Sequence, residues 1–68
     1  MENTVEKQAQ ELLSDAKIMK NNCKDLQQYK RFSLKDFIIL GFVQAAPITG
    51  WTDEVLERAK ELSKNEPL

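Results

Sequence analysis

The most apolar stretch of the chain lies between Ser33 and Pro47, and its pattern predicts a helix over residues 34–46. Asp36 follows Ser33 by three residues, which is the spacing of a capping box, where each side chain bonds the backbone N–H of the other residue. Pro47 marks the predicted end, because proline lacks the N–H that a helix interior needs. The stretch therefore has a start signal and a stop signal of its own.

Within this predicted helix only Gln44 is polar between positions 37 and 46, so we expect the helix to be buried on nearly all sides. A short apolar run also permits a strand, but the cap and the proline favour a helix. A membrane span needs about 20 apolar residues, which this run lacks. Gly41 and Ala45 lie four residues apart and predict close approach to the small residues of the first helix. A glycine without a packing role is the alternative.

The first part of the chain shows apolar residues at heptad spacing and predicts one long helix over residues 3–31, without proline or glycine. Two rows form a seam typical of a coiled coil. The first row is Val5, Leu12, Met19 and Leu26, and the second is Ala9, Ala16 and Cys23. The second row is small, so a facing helix can approach closely. The alternative is an ordinary amphipathic helix that packs within its own chain.

A turn around Gly50 precedes a third predicted helix over residues 53–64. Thr52 is the predicted N-cap, and acidic residues in the first turn suit the helix dipole. Residues 65–68 include a proline and are predicted to be a flexible tail. The pattern as a whole predicts a single all-α domain over residues 1–68, built from one long helix and two short ones.

The length of the chain favours association with a second copy. A 68-residue chain buries a modest core, and one cysteine without any histidine leaves neither a disulfide nor a metal site to stabilise it. The predicted first helix is about 42 Å long, which is about twice the length of each of the other two predicted helices. Part of its seam would stay open in a monomer. We therefore expect a homo-oligomer, most simply a dimer.

Charge is distributed unevenly along the sequence. Residues 1–16 sum to −3, residues 17–35 to +5 and residues 36–68 to −3, which gives the net charge of −1. Two copies of the first helix laid antiparallel would bring opposite charges together. The sequence therefore predicts an antiparallel homodimer through the seam, although complementing the helix dipole explains part of the same gradient.

Catalysis is not expected. Histidine, the usual general acid and base, is missing, and no phosphate loop, dinucleotide motif or metal-ligand spacing occurs, so neither a metal nor a cofactor is predicted. Cys23 has no activating histidine and is best interpreted as a structural thiol. The N-terminus lacks the pattern of a signal peptide, and a lone thiol suits a reducing compartment, so we expect a cytoplasmic protein without membrane contact.

These observations predict a small protein that binds another protein, as a regulator, inhibitor, adaptor or chaperone-like subunit. Candidate contact residues outside the seam are Ile18, Tyr29 and Trp51, although a core position is the favoured interpretation of Trp51. The alternative is a nucleic-acid-binding regulator. Its phosphate contacts would be Lys17, Lys20, Lys24 and Arg31, which form a basic stripe along the long helix.

Overall fold

The computed structural model describes residues 4–65, and within that range the chain forms three α-helices and one short 3₁₀ helix, without strands. The helices are α1 (Thr4–Cys23), α2 (Leu34–Thr49) and α3 (Asp53–Ser63), and the 3₁₀ helix is Gln27–Tyr29. The predicted all-α class is confirmed. The first residue of the predicted long helix and most of the predicted tail, residues 66–68, lie outside the described residues.

The prediction of one helix over residues 3–31 is wrong, because α1 ends at Cys23. Leu26 adopts an extended conformation, with φ −84° and ψ 127°, and its N–H donates to the carbonyl oxygen of Cys23 at 3.0 Å. The chain then turns through the 3₁₀ helix toward α2. At 20 residues, α1 is about 30 Å long instead of the predicted 42 Å.

Aromatic packing explains this early end. Asn21 and Asn22 are weak helix formers, so continuing the helix past them gains little. The turn instead brings Tyr29 and Phe32 together with Phe37 of α2. Ring centroids are separated by 5.0 Å between Tyr29 and Phe32, 5.9 Å between Tyr29 and Phe37, and 5.4 Å between Phe32 and Phe37. Such pairs add stability beyond the burial of their area.

As the sequence predicts, α2 begins at Leu34 with Ser33 as its N-cap. The N–H of Asp36 donates to Ser33 Oγ at 3.3 Å, and the N–H of Ser33 donates to Asp36 Oδ2 at 2.9 Å, which completes the capping box. Phe32 and Phe37 flank the cap and contact one another, as a hydrophobic staple requires. Entry into α2 is therefore fixed by local interactions.

The end of α2 differs from the prediction, because the helix continues past Pro47 to Thr49. Pro47 lies in the last turn, and its missing N–H removes one helical hydrogen bond. The hydroxyl of Thr49 donates to the carbonyl oxygen of Ala45 at 3.0 Å, and the N–H of Gly50 donates to the carbonyl oxygen of Ala46 at 2.8 Å. Gly50 has φ +77° and so ends the helix in the left-handed region.

The third helix, α3, agrees with the prediction to within one residue at its C-terminus. Thr52 occupies the N-cap position with an extended backbone, although its side chain makes no capping bond. Its carbonyl oxygen accepts the N–H groups of Val55 and Leu56 at 3.0 and 3.2 Å.

All three helices contribute to one core. The largest side chains without exposed surface are Leu12 of α1, Phe37 and Ile38 of α2, and Val55 of α3. The helices α1 and α2 run antiparallel. Met19, late in α1, lies beside Gly41 in the middle of α2, whereas residues 8–15 of α1 line a surface hollow with residues 45–51 at the end of α2.

Candidate protein interface

One side of α2 is buried and the other side is exposed. The buried residues have helical spacing and are Leu34, Phe37, Ile38 and Gly41. On the outer side, 40% of Ile39 and 64% of Val43 is exposed. The prediction of burial on nearly all sides is therefore wrong. Among residues 4–65, α1 and α3 are the α-helices that pack against α2, and they leave its outer side open.

An open hollow lies on this outer side, and we call its apolar residues the α2 apolar face. The face consists of Phe32, Ile39, Leu40 and Val43. Positions 39, 40 and 43 are neighbours on a helix surface, so the exposed apolar groups are contiguous. Singly exposed apolar residues are normal in proteins, whereas large contiguous apolar patches are typical of contact sites.

Charged groups border the α2 apolar face near the start of α2. Arg31 and Asp36 line the same hollow. Asp36 is held in place by the capping box, since its Oδ2 also accepts the hydroxyl of Ser33 at 3.2 Å. Arg31 is exposed just before the helix begins. The face thus has an apolar centre with charges at one end.

The predicted seam residues pack mainly inside the single chain. Ala9, Leu12 and Ala16 have no exposed surface, Val5, Met19 and Cys23 are partly buried against the core, and Leu26 lies beyond α1 with 46% exposed. A second α1 cannot reach the fully buried positions while α2 and α3 stay in place. This is the packing of an ordinary amphipathic helix. Homodimer formation itself stays a prediction.

The three predicted partner contacts fall in different environments. Ile18 is 56% exposed on α1. Tyr29 is half-buried within the aromatic cluster with Phe32 and Phe37. Trp51 is only 9% exposed and belongs to the core. The structure therefore leaves only Ile18 well placed for a contact, and Trp51 takes the alternative role as a core residue.

The basic residues do not form the predicted continuous stripe. Lys17 and Lys20 lie on α1, whereas Lys24 follows its end and Arg31 precedes α2. Heptad spacing aligns residues on one face only within a continuous helix, and α1 stops at Cys23. Nucleic-acid binding by these residues stays a prediction that the geometry of α1 does not support.

Gly41 faces the larger residues of α1. A methyl group at Gly41 would lie 3.4 Å from Leu12 Cδ1 and 3.8 Å from Met19 Sδ. The predicted approach to the row of small residues is therefore replaced by contact with the row that holds Leu12 and Met19. The approach to Met19 is an ordinary van der Waals contact, and the approach to Leu12 stands at the tight limit of that range.

An ion pair joins α1 to α3. Arg58 Nε donates to Glu6 Oε1 at 2.6 Å, and Arg58 Nη1 lies 3.7 Å from Glu61 Oε1. The hydrogen bond from Arg58 lowers the pKa of Glu6 below its ordinary value of 4.5, and the same bond raises the pKa of Arg58. Both side chains are partly exposed, so the pair orients the helices more than it stabilises them.

Among residues 4–65, no group of three or more His, Cys, Asp or Glu side chains is placed to hold a metal ion. None of the described helices combines the length and the hydropathy needed to cross a membrane. Comparisons with protein-family models, curated proteins and solved structures gave no match.

The predicted contact residues do not include Ile39, Leu40 or Val43. A signal for them was present in the sequence. A helix that is apolar on nearly all sides needs neighbours all round it, and the described part of the chain supplies two further α-helices. These two helices leave Ile39 and Val43 exposed.

Proposed function

We propose that this protein is a small, non-enzymatic helical protein that acts by binding another protein chain through the α2 apolar face. The observation that carries the proposal is the exposure of Ile39 and Val43 side by side on the most apolar helix. Covering them removes apolar surface from water, which is the main favourable contribution in most protein associations.

Composition supports a binding role over catalysis. The chain contains no histidine and one cysteine, so the side chains that most often act in acid/base catalysis are missing. The thiol of Cys23 is free and half-buried, and a free thiol is typical of proteins in reducing compartments, so the proposal includes a cytoplasmic location.

The residue types at the α2 apolar face and its rim are those that are common at protein interfaces. Phe32 contributes an aromatic ring, and Arg31 lies at the rim. Aromatic residues and arginine are enriched at protein interfaces, while the rim is usually polar. An apolar centre with a charged edge is therefore the arrangement that a protein partner would bind.

Site-specific photo-crosslinking in cells of the native host tests this proposal. A photoreactive amino acid replaces Val43 in one variant and Gln44 in a matched control, which is also exposed but rotated by about 100° around the helix. We expect a discrete protein adduct from position 43 and none from position 44. Adding Ile39→Asp should abolish the adduct, and circular dichroism verifies that this variant is still folded, because part of Ile39 is buried. Equal adducts from both positions, or none, would refute the proposal.

A further inference from the structure

Basic residues are gathered at one end of the helical bundle, because α1 ends early and the chain turns back into α2. We call this surface the basic end. Its residues lie in the last two turns of α1, in the connection and in the first turn of α2. They are Lys17, Lys20, Lys24, Lys30, Arg31 and Lys35, of which Lys20 is half-buried and the other five are exposed.

The packing of α2 on α1 brings these residues to the same level of the bundle. Gly41 lies beside Leu12 and Met19, so its level on α1 falls between these two residues. Lys35 precedes Gly41 by six residues, and the helices are antiparallel, so Lys35 lies about 9 Å nearer the C-terminal end of α1. That distance reaches the last turns of α1. Tyr29 holds the connection against the same end by its contact with Phe37.

The basic end is positively charged although the protein as a whole is slightly acidic. Three acidic residues lie within it or next to it, at positions 15, 25 and 36, so residues 15–36 carry +3 while the whole chain carries −1. The carboxylate of Asp36 accepts the N–H and the hydroxyl of Ser33 in the capping box. An excess of three positive charges therefore remains within 22 residues.

The most acidic part of the molecule lies too far away to neutralise the basic end. Glu6 precedes Lys20 by 14 residues, which is about 21 Å along α1. The screening length at physiological ionic strength is only about 8 Å. Around Glu6, a surface hollow is lined by four acidic residues of α3, which are Asp53, Glu54, Glu57 and Glu61. An anionic partner at the basic end is therefore attracted by the nearby basic residues and is screened from this acidic region.

Amide side chains lie among the basic residues of this surface. Four of them are exposed, and they are Asn21, Asn22, Gln27 and Gln28. Amides form hydrogen bonds with phosphate oxygens and with the edges of bases, while Lys and Arg supply the attraction to phosphate. Among residues 20–35, Leu26 is the one large apolar side chain that is well exposed. The surface therefore suits a nucleic acid better than a membrane, whose binding depends on buried apolar area.

We propose that the basic end binds a nucleic acid, chiefly through its phosphates. The contact is made by the end of the bundle and not by a stripe along α1. It shares only Arg31 with the hollow at the α2 apolar face, so the inference goes beyond the proposed function and does not depend on it. The protein would then have one surface for a protein chain and a second surface for a polyanion.

Fluorescence anisotropy with a labelled duplex DNA of random sequence, over a series of salt concentrations, tests this inference. We expect binding at low salt, with log K falling linearly as log salt rises, because each phosphate contact releases counterions. The variant Lys24→Gln with Lys30→Gln removes two exposed charges of the connection. Its salt slope should be shallower by about 1.8, and its affinity at low salt should be roughly tenfold lower or less.

The matched control is Lys7→Gln with Lys60→Gln, which removes the same charge near the start of α1. Lys60 Nζ lies 3.1 Å from Glu57 Oε2, and Glu57 lines the hollow with Glu6. We expect the control to bind the duplex like wild type. A wild-type chain that does not bind at low salt, or an equal loss of affinity in the control, would overturn the inference.

Two further probes separate a nucleic acid from other anions. Poly-glutamate represents an acidic protein, and vesicles of phosphatidylserine and phosphatidylcholine represent an anionic membrane. We expect both to bind more weakly than the duplex at the same salt concentration, and equal or tighter binding to either would refute the assignment. Circular dichroism verifies folding; should the double variant unfold, Lys24→Gln alone should make the salt slope shallower by about 0.9.

Discussion

Gly41→Ala is expected to stabilise the protein. Gly41 is buried in the interior of α2, and its surroundings are the side chains of Leu12 and Met19. An added methyl group would lie 3.4 Å from the first and 3.8 Å from the second, so it fits without displacing backbone. The glycine therefore has a conformational cost that no close backbone contact requires.

The size of the gain follows from helix propensity and burial. Alanine is favoured over glycine inside a helix by about 0.5–1 kcal/mol, because glycine loses more backbone entropy on folding. The buried methyl group contributes up to about 0.8 kcal/mol, reduced by the tight contact with Leu12. We expect a net gain of about 1 kcal/mol, which corresponds to roughly 4–8 °C in Tm for a domain of this size.

Gly50→Ala is the matched control, with the opposite expected sign. Gly50 has φ +77° and no atom within 4 Å of the added methyl group, so only backbone strain changes. A non-glycine residue in this region costs about 1–2 kcal/mol. Urea unfolding of both variants measures the difference. A loss of stability in Gly41→Ala would refute the reasoning and would indicate a closer, rigid neighbour at Gly41.

Three further predictions concern the core, the helix cap and the ion pair. Leu12→Ala should lower the free energy of unfolding by about 2–5 kcal/mol, since Leu12 has no exposed surface; a loss below 1 kcal/mol in urea would contradict its place in the core. Ser33→Ala should cost about 1 kcal/mol by removing the capping bond to Asp36, and Ser33→Asp should restore much of it in the same assay. Arg58 lowers the pKa of Glu6, so ionised Glu6 stabilises the fold above about pH 4.5 and loses that contribution as the pH falls through its folded-state pKa. Glu6→Gln should therefore weaken the acid-induced fall in Tm; an unchanged pH profile would contradict this role.

Local signals located the start of α2 and the span of α3 from the sequence, whereas the end of α2 was predicted at Pro47 and lies at Thr49. The Ser33 and Asp36 bonds lie within four positions, and Gly50 supplies the left-handed residue that ends α2. The end of α1 has no comparable signal. It depends on Tyr29 and Phe32 reaching Phe37, which is a matter of packing after the chain has turned.

The assignment of surfaces failed for a different reason. The heptad pattern correctly identified Ala9, Leu12 and Ala16 as buried positions, but a pattern does not say which chain covers them. The shorter α1 is covered by its own α2 and α3. We therefore propose the interface on α2 and no longer on α1, because α1 and α3 leave part of the apolar surface of α2 exposed.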